Sequence, residues 1–179
     1  MSTGLRVLVV VASKHGSTAE IARAVATGLT TAPAGDAPAL SAVVVNAQQR
    51  PDPSTFDAVV LGSAVYVGRW LEDAREYAAH HATVLRARPV WLFSSGPIGE
   101  PPFPSDEPYD AAPMRAITGA RDHHVFPGRM DPTLLSFGER AMVTAMRAPV
   151  GDFRDWDAVA AWAADIAATL TAAPVPHQS

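Results

Sequence analysis

The sequence contains no cysteine among its 179 residues. That absence excludes disulfide scaffolds, thiolate zinc and iron–sulfur sites, and any cysteine nucleophile. Charge is scarce as well: charged residues make up 18%, and 14 basic against 18 acidic side chains leave a net charge of −4. This balance carries no electrostatic footprint for nucleic acid. No run is apolar for long enough to span a bilayer, since Val7 to Ala12 is ended by Ser13-Lys14-His15-Gly16. Nor does a charged n-region with a cleavage site precede it, so a cytoplasmic protein without a targeting or transmembrane segment is expected. What is present is a 48% hydrophobic chain of a length that fits one domain. The expected domain covers residues 1–173, with a frayed tail at 174–179 and no internal repeat. If electrons move through this protein, they travel on something other than sulfur.

Val7-Leu8-Val9-Val10-Val11 is continuous and mostly β-branched, as in a strand buried on both faces. Ser17-Thr18-Ala19-Glu20 then reads as a capping box with Ser17 at the N-cap. Ile21, Ala24, Val25, Gly28 and Leu29 repeat at helical spacing behind it, up to Thr30-Thr31-Ala32-Pro33. Further strands are expected at Ala42 to Asn46, Ala58 to Gly62, Pro89 to Ser94 and His123 to Phe126. Trp70, Leu71, Ala74, Tyr77 and Ala78 mark a helix between the third and fourth strands. Two later helices are expected. One covers Thr133 to Arg147, with Leu134, Leu135, Gly138, Met142 and Met146 inward. The other covers Trp156 to Thr171, with Val159, Trp162, Ala163, Ile166 and Leu170 on one face. Alternating strands and helices predict an α/β fold with a parallel sheet covered on both faces.

Between Gly96 and Pro113 stand six prolines, a density that predicts a long loop. Loops of this length in compact domains are usually functional or disordered.

In open parallel sheets, ligands bind beyond the carboxyl ends of the strands. Three such ends carry suggestive chemistry. The first is Ser13-Lys14-His15-Gly16-Ser17-Thr18, where hydroxyls and free N–H groups at a helix start suit an anion. It lacks both the G-x-x-x-x-G-K-[ST] and the G-x-G-x-x-G patterns, which excludes the corresponding nucleotide sites. The second is Gly62-Ser63-Ala64-Val65-Tyr66-Val67-Gly68-Arg69-Trp70, whose small residues admit a flat ligand that Tyr66 or Trp70 could stack upon. The third is Ser94-Ser95-Gly96-Pro97-Ile98-Gly99, with N–H groups for the polar edge of a ring. A Ser-capped helix and ordinary aromatic packing are the plain alternatives.

Val7 to Thr18 resembles the opening of flavodoxin-domain proteins, with Ser13 to Thr18 matching their phosphate-binding motif. Gly62 to Gly68, Val125-Phe126-Pro127-Gly128-Arg129-Met130-Asp131 and Gly151-Asp152-Phe153-Arg154-Asp155-Trp156 are similar to segments of the menaquinone-dependent protoporphyrinogen oxidases. The resemblance implies a flavodoxin-like three-layer sandwich, with five parallel strands in the order 2-1-3-4-5. It also implies FMN, held at Ser13, Lys14, His15, Gly16, Ser17, Thr18, Ser63, Ala64, Val65, Tyr66, Val67, Gly68, Ser94, Ser95, Gly96, Pro97, Ile98 and Gly99.

Two functional classes follow from the resemblance. One is an oxidoreductase passing electrons from a reduced, protoporphyrinogen-like substrate to a quinone or similar acceptor. The other is a non-catalytic electron carrier, or a scaffold of the same fold without flavin. The weak charge and the proline-rich loop favour the enzyme. No residue stands out as a general acid or base. The pairs His80-His81 and His123-His124 are expected to diverge, with no third ligand spaced for a metal. Met142 and Met146 read first as core. With Arg129, Arg140 and Arg147 nearby, a peripheral membrane contact is the second reading. A homo-oligomer stays open. A receiver domain needs acids after the first strand and an aspartate at the end of the third, where this chain has Ser13 and Gly62-Ser63, and the G-x-S-x-G of a serine hydrolase is absent.

Overall fold

Valine repeats at every second position of the first strand, and each set of alternating side chains enters a different apolar core. In the computed structural model, which describes residues 4–31, 36–96 and 108–172, this strand is β1 (Leu5–Ala12). Val7, Val9 and Val11 face one side, against α1 (Ser17–Thr30) and the C-terminal helix; Leu8 and Val10 face the other. β1 runs between β2 (Leu40–Asn46) and β3 (Ala58–Tyr66) and is parallel to both, with Val9 opposite Val44 and Val60.

β3 continues past Gly62, where a loop was expected, and turns back at Val67-Gly68 into the short antiparallel β4 (Arg69–Trp70). Trp70 is therefore a strand residue rather than the start of a helix. The expected helix divides into α2 (Glu72–His80) and α3 (Ala82–Arg86). β5 (Val90–Ser95) follows beside β3.

The proline-rich segment differs from expectation at its end. Residues 97–107 lie outside the described residues, but α4 (Ala111–Thr118) begins inside the stretch expected to be loop. Pro113 is its third residue, in the first turn, where a backbone N–H has no carbonyl of the helix to bond. β6 (Asp122–Phe126) completes the main sheet. The order of the five parallel strands is β2-β1-β3-β5-β6, which is the expected 2-1-3-4-5 order with β4 as an addition on β3.

Beyond β6 comes β7 (Arg129–Met130), a single 3-10 turn at Pro132–Leu134, and α5 (Phe137–Ala145). The helix expected from Thr133 to Arg147 is thus shorter. Its inward set is also corrected: none of the α5 residues is buried, and Met146 beyond it is half exposed. The apolar residues of this segment line a cleft at the end of the sheet instead of packing on its face. β8 (Gly151–Asp152) pairs with β7, and α6 (Trp156–Thr171) returns to the sheet. Val159, Trp162, Ala163 and Ile166 of α6 are buried as expected, with Leu170 at the margin. α1 and α6 pack closely because Gly28 has no side chain. A Cβ there would come within 2.6 Å of the Ala163 Cβ.

Candidate functional site

The carboxyl ends of β1, β3, β5 and β6 meet at one cleft, and the loop after β1 forms its floor. Ser13 Oγ accepts the Gly16 N–H at 3.1 Å, closing a tight turn. Gly16 takes the left-handed conformation (φ +89°) and occupies the N-cap of α1. Without a Cβ it adopts that angle freely, and the open space above it receives no side chain. The expected cap at Ser17 is therefore corrected: Ser17 is the first helical residue, and no side chain caps α1. Its Oγ is buried with no hydrogen-bond partner. The first-turn N–H groups of α1 are thus left for an anion or for water. Glu20, expected to complete the capping box, instead pairs with Arg154.

Lys14 and His15 point towards α5. Lys14 Nζ lies 2.5 Å from Glu139 Oε1, and His15 Nε2 lies 2.9 Å from Glu139 Oε2. The Lys14 ammonium also sits 4.3 Å from the centre of the Tyr66 ring. The Glu139 hydrogen bond raises the Lys14 pKa, and the Lys14 hydrogen bond holds the Glu139 carboxyl below its ordinary value. Burial pushes the Tyr66 phenol up, and its hydroxyl is buried without a partner.

The cleft encloses about 100 Å³ and opens to solvent. It brings together Ser13, Lys14, His15, Ser17, Thr18, Ala64, Val65, Tyr66, Ser95 and Gly96, all expected, around the turn at Gly16. Other expected residues fall elsewhere. Ser63 is buried, donating to the Ala64 carbonyl and accepting the Leu71 N–H at 3.0 Å. Ser94 is buried too, bonded to Trp70 Nε1 and His123 Nε2, each at 2.7 Å. Val67 and Gly68, both at positive φ, form the hairpin tip. Pro97, Ile98 and Gly99 lie outside the described residues.

The sequence reading missed one wall, formed by Gly128, Arg129, Met130 and Asp131 with Leu134 and Leu135. The signal was available, because this segment follows β6 at the same sheet end. Arg154 fixes that wall from behind. It is bonded to Asp152 of β8 at 2.6 Å and to Glu20 of α1, which lowers both carboxyl pKa values. Asp110 fixes the opposite side: its carboxylate accepts Trp70 N at 2.9 Å and Arg69 Nη2 at 3.0 Å.

A second, apolar cleft adjoins the first and shares Val65, Tyr66, Gly96, Met130 and Leu135 with it. Val67, Gly68, Tyr109, Met142, Val143, Met146 and Ala148 complete its lining, and no residue of that lining carries a formal charge. Elsewhere, His123 and His124 face different neighbours, Ser94 for one and Phe126 with Trp162 for the other. The His80 and His81 rings do not diverge as expected; they meet edge to face at 4.7 Å. Among the described residues, no three His, Asp or Glu converge as a metal site, and no helix is long and apolar enough to cross a membrane.

The chain is similar in structure to a flavodoxin from the domain Archaea, at 13% identity and a TM-score of 0.60, covering 94% of this chain and 100% of that one. It is similar to the Streptococcus pneumoniae TIGR4 flavodoxin at 18% identity, with a TM-score of 0.58 and coverage of 92% and 99%. A flavodoxin, WrbA-like protein from Agrobacterium tumefaciens matches at 12% identity and a TM-score of 0.56, covering 93% of this chain and 97% of that one. No curated protein matches the sequence. The family model described as flavodoxin domain matches residues 8–157, from β1 into the start of α6. That domain implies a flavin cofactor, typically FMN, and electron transfer. With that match running through the loop after β1 and every strand of the main sheet, the chain belongs to the flavodoxin-domain family.

Proposed function

We propose that this protein is an FMN-dependent oxidoreductase, passing electrons from a reduced small molecule of the protoporphyrinogen type to a quinone or similar acceptor. The observation that carries this reading is the uncharged cleft sharing a wall with the loop cleft. A carrier needs only an exposed cofactor edge for its protein partners. An enzyme acting on an apolar substrate needs a second pocket beside the cofactor, and such pockets are mostly apolar with few polar groups.

The residues present fit FMN. The orphaned Ser17 hydroxyl, the uncapped first turn of α1 and the open turn at Gly16 suit its phosphate. In this reading Ser13, Ser17 and Thr18, with the N–H groups of residues 14–18, hold the phosphate. Ala64, Val65 and Tyr66 flank the ring on one side, Ser95 and Gly96 on the other. Ser63 and Ser94 brace these strand ends from beneath through their internal hydrogen bonds. The bound cofactor supplies electron or hydride transfer; the protein binds and orients it and keeps water from the apolar side.

The second reading is a flavodoxin-type electron carrier. It is favoured by exposed apolar residues lining the second cleft, Val67 at 68% and Tyr109 at 73%, which suit docking to another protein. Anaerobic mixing of the FMN-loaded protein with protoporphyrinogen, followed by a soluble menaquinone analogue, separates the two. The enzyme reading expects bleaching of the flavin and then recovery of its colour. Bleaching by a chemical reductant but not by protoporphyrinogen would overturn it in favour of a carrier.

A further inference from the structure

α5 lies at the mouth of the cleft without a buried residue, and Phe137 at its start is almost fully exposed. The hydrogen bonds of Arg140 run to Pro132 and Leu135, within its own segment. Among the described residues, the polar contacts of α5 with the loop after β1 are made by one side chain, Glu139. One carboxylate oxygen is 2.5 Å from Lys14 Nζ and the other 2.9 Å from His15 Nε2, and the side chain is only 12% exposed. Ser136 and Glu139 form a capping box, so the backbone at the helix start helps to aim this carboxylate. Both of its partners belong to the loop assigned above to a phosphate.

We propose that Glu139 is an internal competitor for the phosphate of a flavin mononucleotide: the ligand must displace this carboxylate, and α5 with it, from Lys14 and His15. The inference rests on the flavin reading and concerns the loading of that same site. A carboxylate and a phosphate dianion compete for the Lys14 ammonium and for a hydrogen bond to the His15 ring, and held a few ångströms apart they repel each other. The Tyr66 ring under the Lys14 ammonium keeps it at the cleft once Glu139 leaves, where it can serve the phosphate. A plain surface ion pair would steady α5 without discriminating between ligands that carry a phosphate and ligands that do not.

The discriminating variant is Glu139→Gln, which keeps a capping-box residue at its position and so preserves the start of α5. The apoprotein is titrated with FMN and with riboflavin, which lacks the phosphate. FMN is expected to bind the variant roughly tenfold more tightly, the size of one strong charged contact, while riboflavin affinity stays nearly unchanged. Amide hydrogen exchange across α5 is expected to be faster in the ligand-free variant. FMN binding no tighter than in the natural chain, or an equal shift for FMN and riboflavin, would overturn the proposal. Inorganic phosphate, followed through the backbone amide resonances of residues 13–18, separates this outcome from failure of the flavin reading. If FMN binds neither protein, that reading fails by itself. Tighter phosphate binding by the variant then still supports the competitor, and equal or absent binding in both proteins overturns it.

Discussion

The Trp70 indole nitrogen donates to Ser94 Oγ at 2.7 Å, inside the protein, where both side chains are buried. The bond joins the hairpin β3–β4 to the end of β5, so two walls of the cleft are set by one interior contact. Ser94→Ala leaves that indole N–H without its partner. The cost is expected at about 1–3 kcal/mol of unfolding free energy. Chemical denaturation measures it, and FMN affinity is expected to change far less than stability.

Ser17 is the converse case, since its buried hydroxyl has no internal partner to lose. Ser17→Ala is expected to leave stability within about 0.5 kcal/mol of the natural chain. It should weaken FMN roughly tenfold, as expected for a lost hydrogen bond to a charged group. Riboflavin should be little affected. Fluorescence titration with both flavins checks this, and equal losses for the two would place the phosphate elsewhere.

Glu20 and Asp152 have carboxyl pKa values held below their ordinary 4.5 and 3.8, chiefly by the Arg154 hydrogen bonds. Groups depressed in the folded state contribute stability that is present above the unfolded pKa and lost as pH falls through the folded one. The natural chain is therefore expected to lose stability on acidification below the ordinary carboxylate range. Arg154→Met should flatten that part of the profile, as measured by urea unfolding at a series of pH values.

Gly28 tests the contact between α1 and α6. Alanine is favoured over glycine in a helix by roughly 1 kcal/mol. Against this, its Cβ would stand 2.6 Å from the Ala163 Cβ, and such overpacking costs typically 1–3 kcal/mol. Gly28→Ala is expected to destabilise on balance, and adding Ala163→Gly should restore part of the loss. Thermal unfolding of the two single variants and the double variant measures the coupling.

Much of this fold was legible because burial writes itself into periodicity. The valines of β1 and the Val159–Trp162–Ala163–Ile166 stripe of α6 lie where their spacing indicates. The same signal misled at Met142 and Met146, because an apolar stripe facing a cleft has the spacing of one facing a core. Proline density concealed α4, whose Pro113 sits where a first turn tolerates it. Within the site, the hydroxyl-rich loop was legible as the turn that leads into α1 at the strand ends, but the cap moved to Gly16 because a left-handed turn precedes the helix. Glu139 carried no local sign of its role. Its partners Lys14 and His15 lie far away in sequence, and no spacing rule links them.

FMN titration of the apoprotein tests the central claim most directly. The account predicts saturable binding of one FMN per chain, a yellow protein, and weaker binding of riboflavin because it lacks the phosphate. No binding of FMN by a folded apoprotein, or equal affinity for FMN and riboflavin, would contradict it.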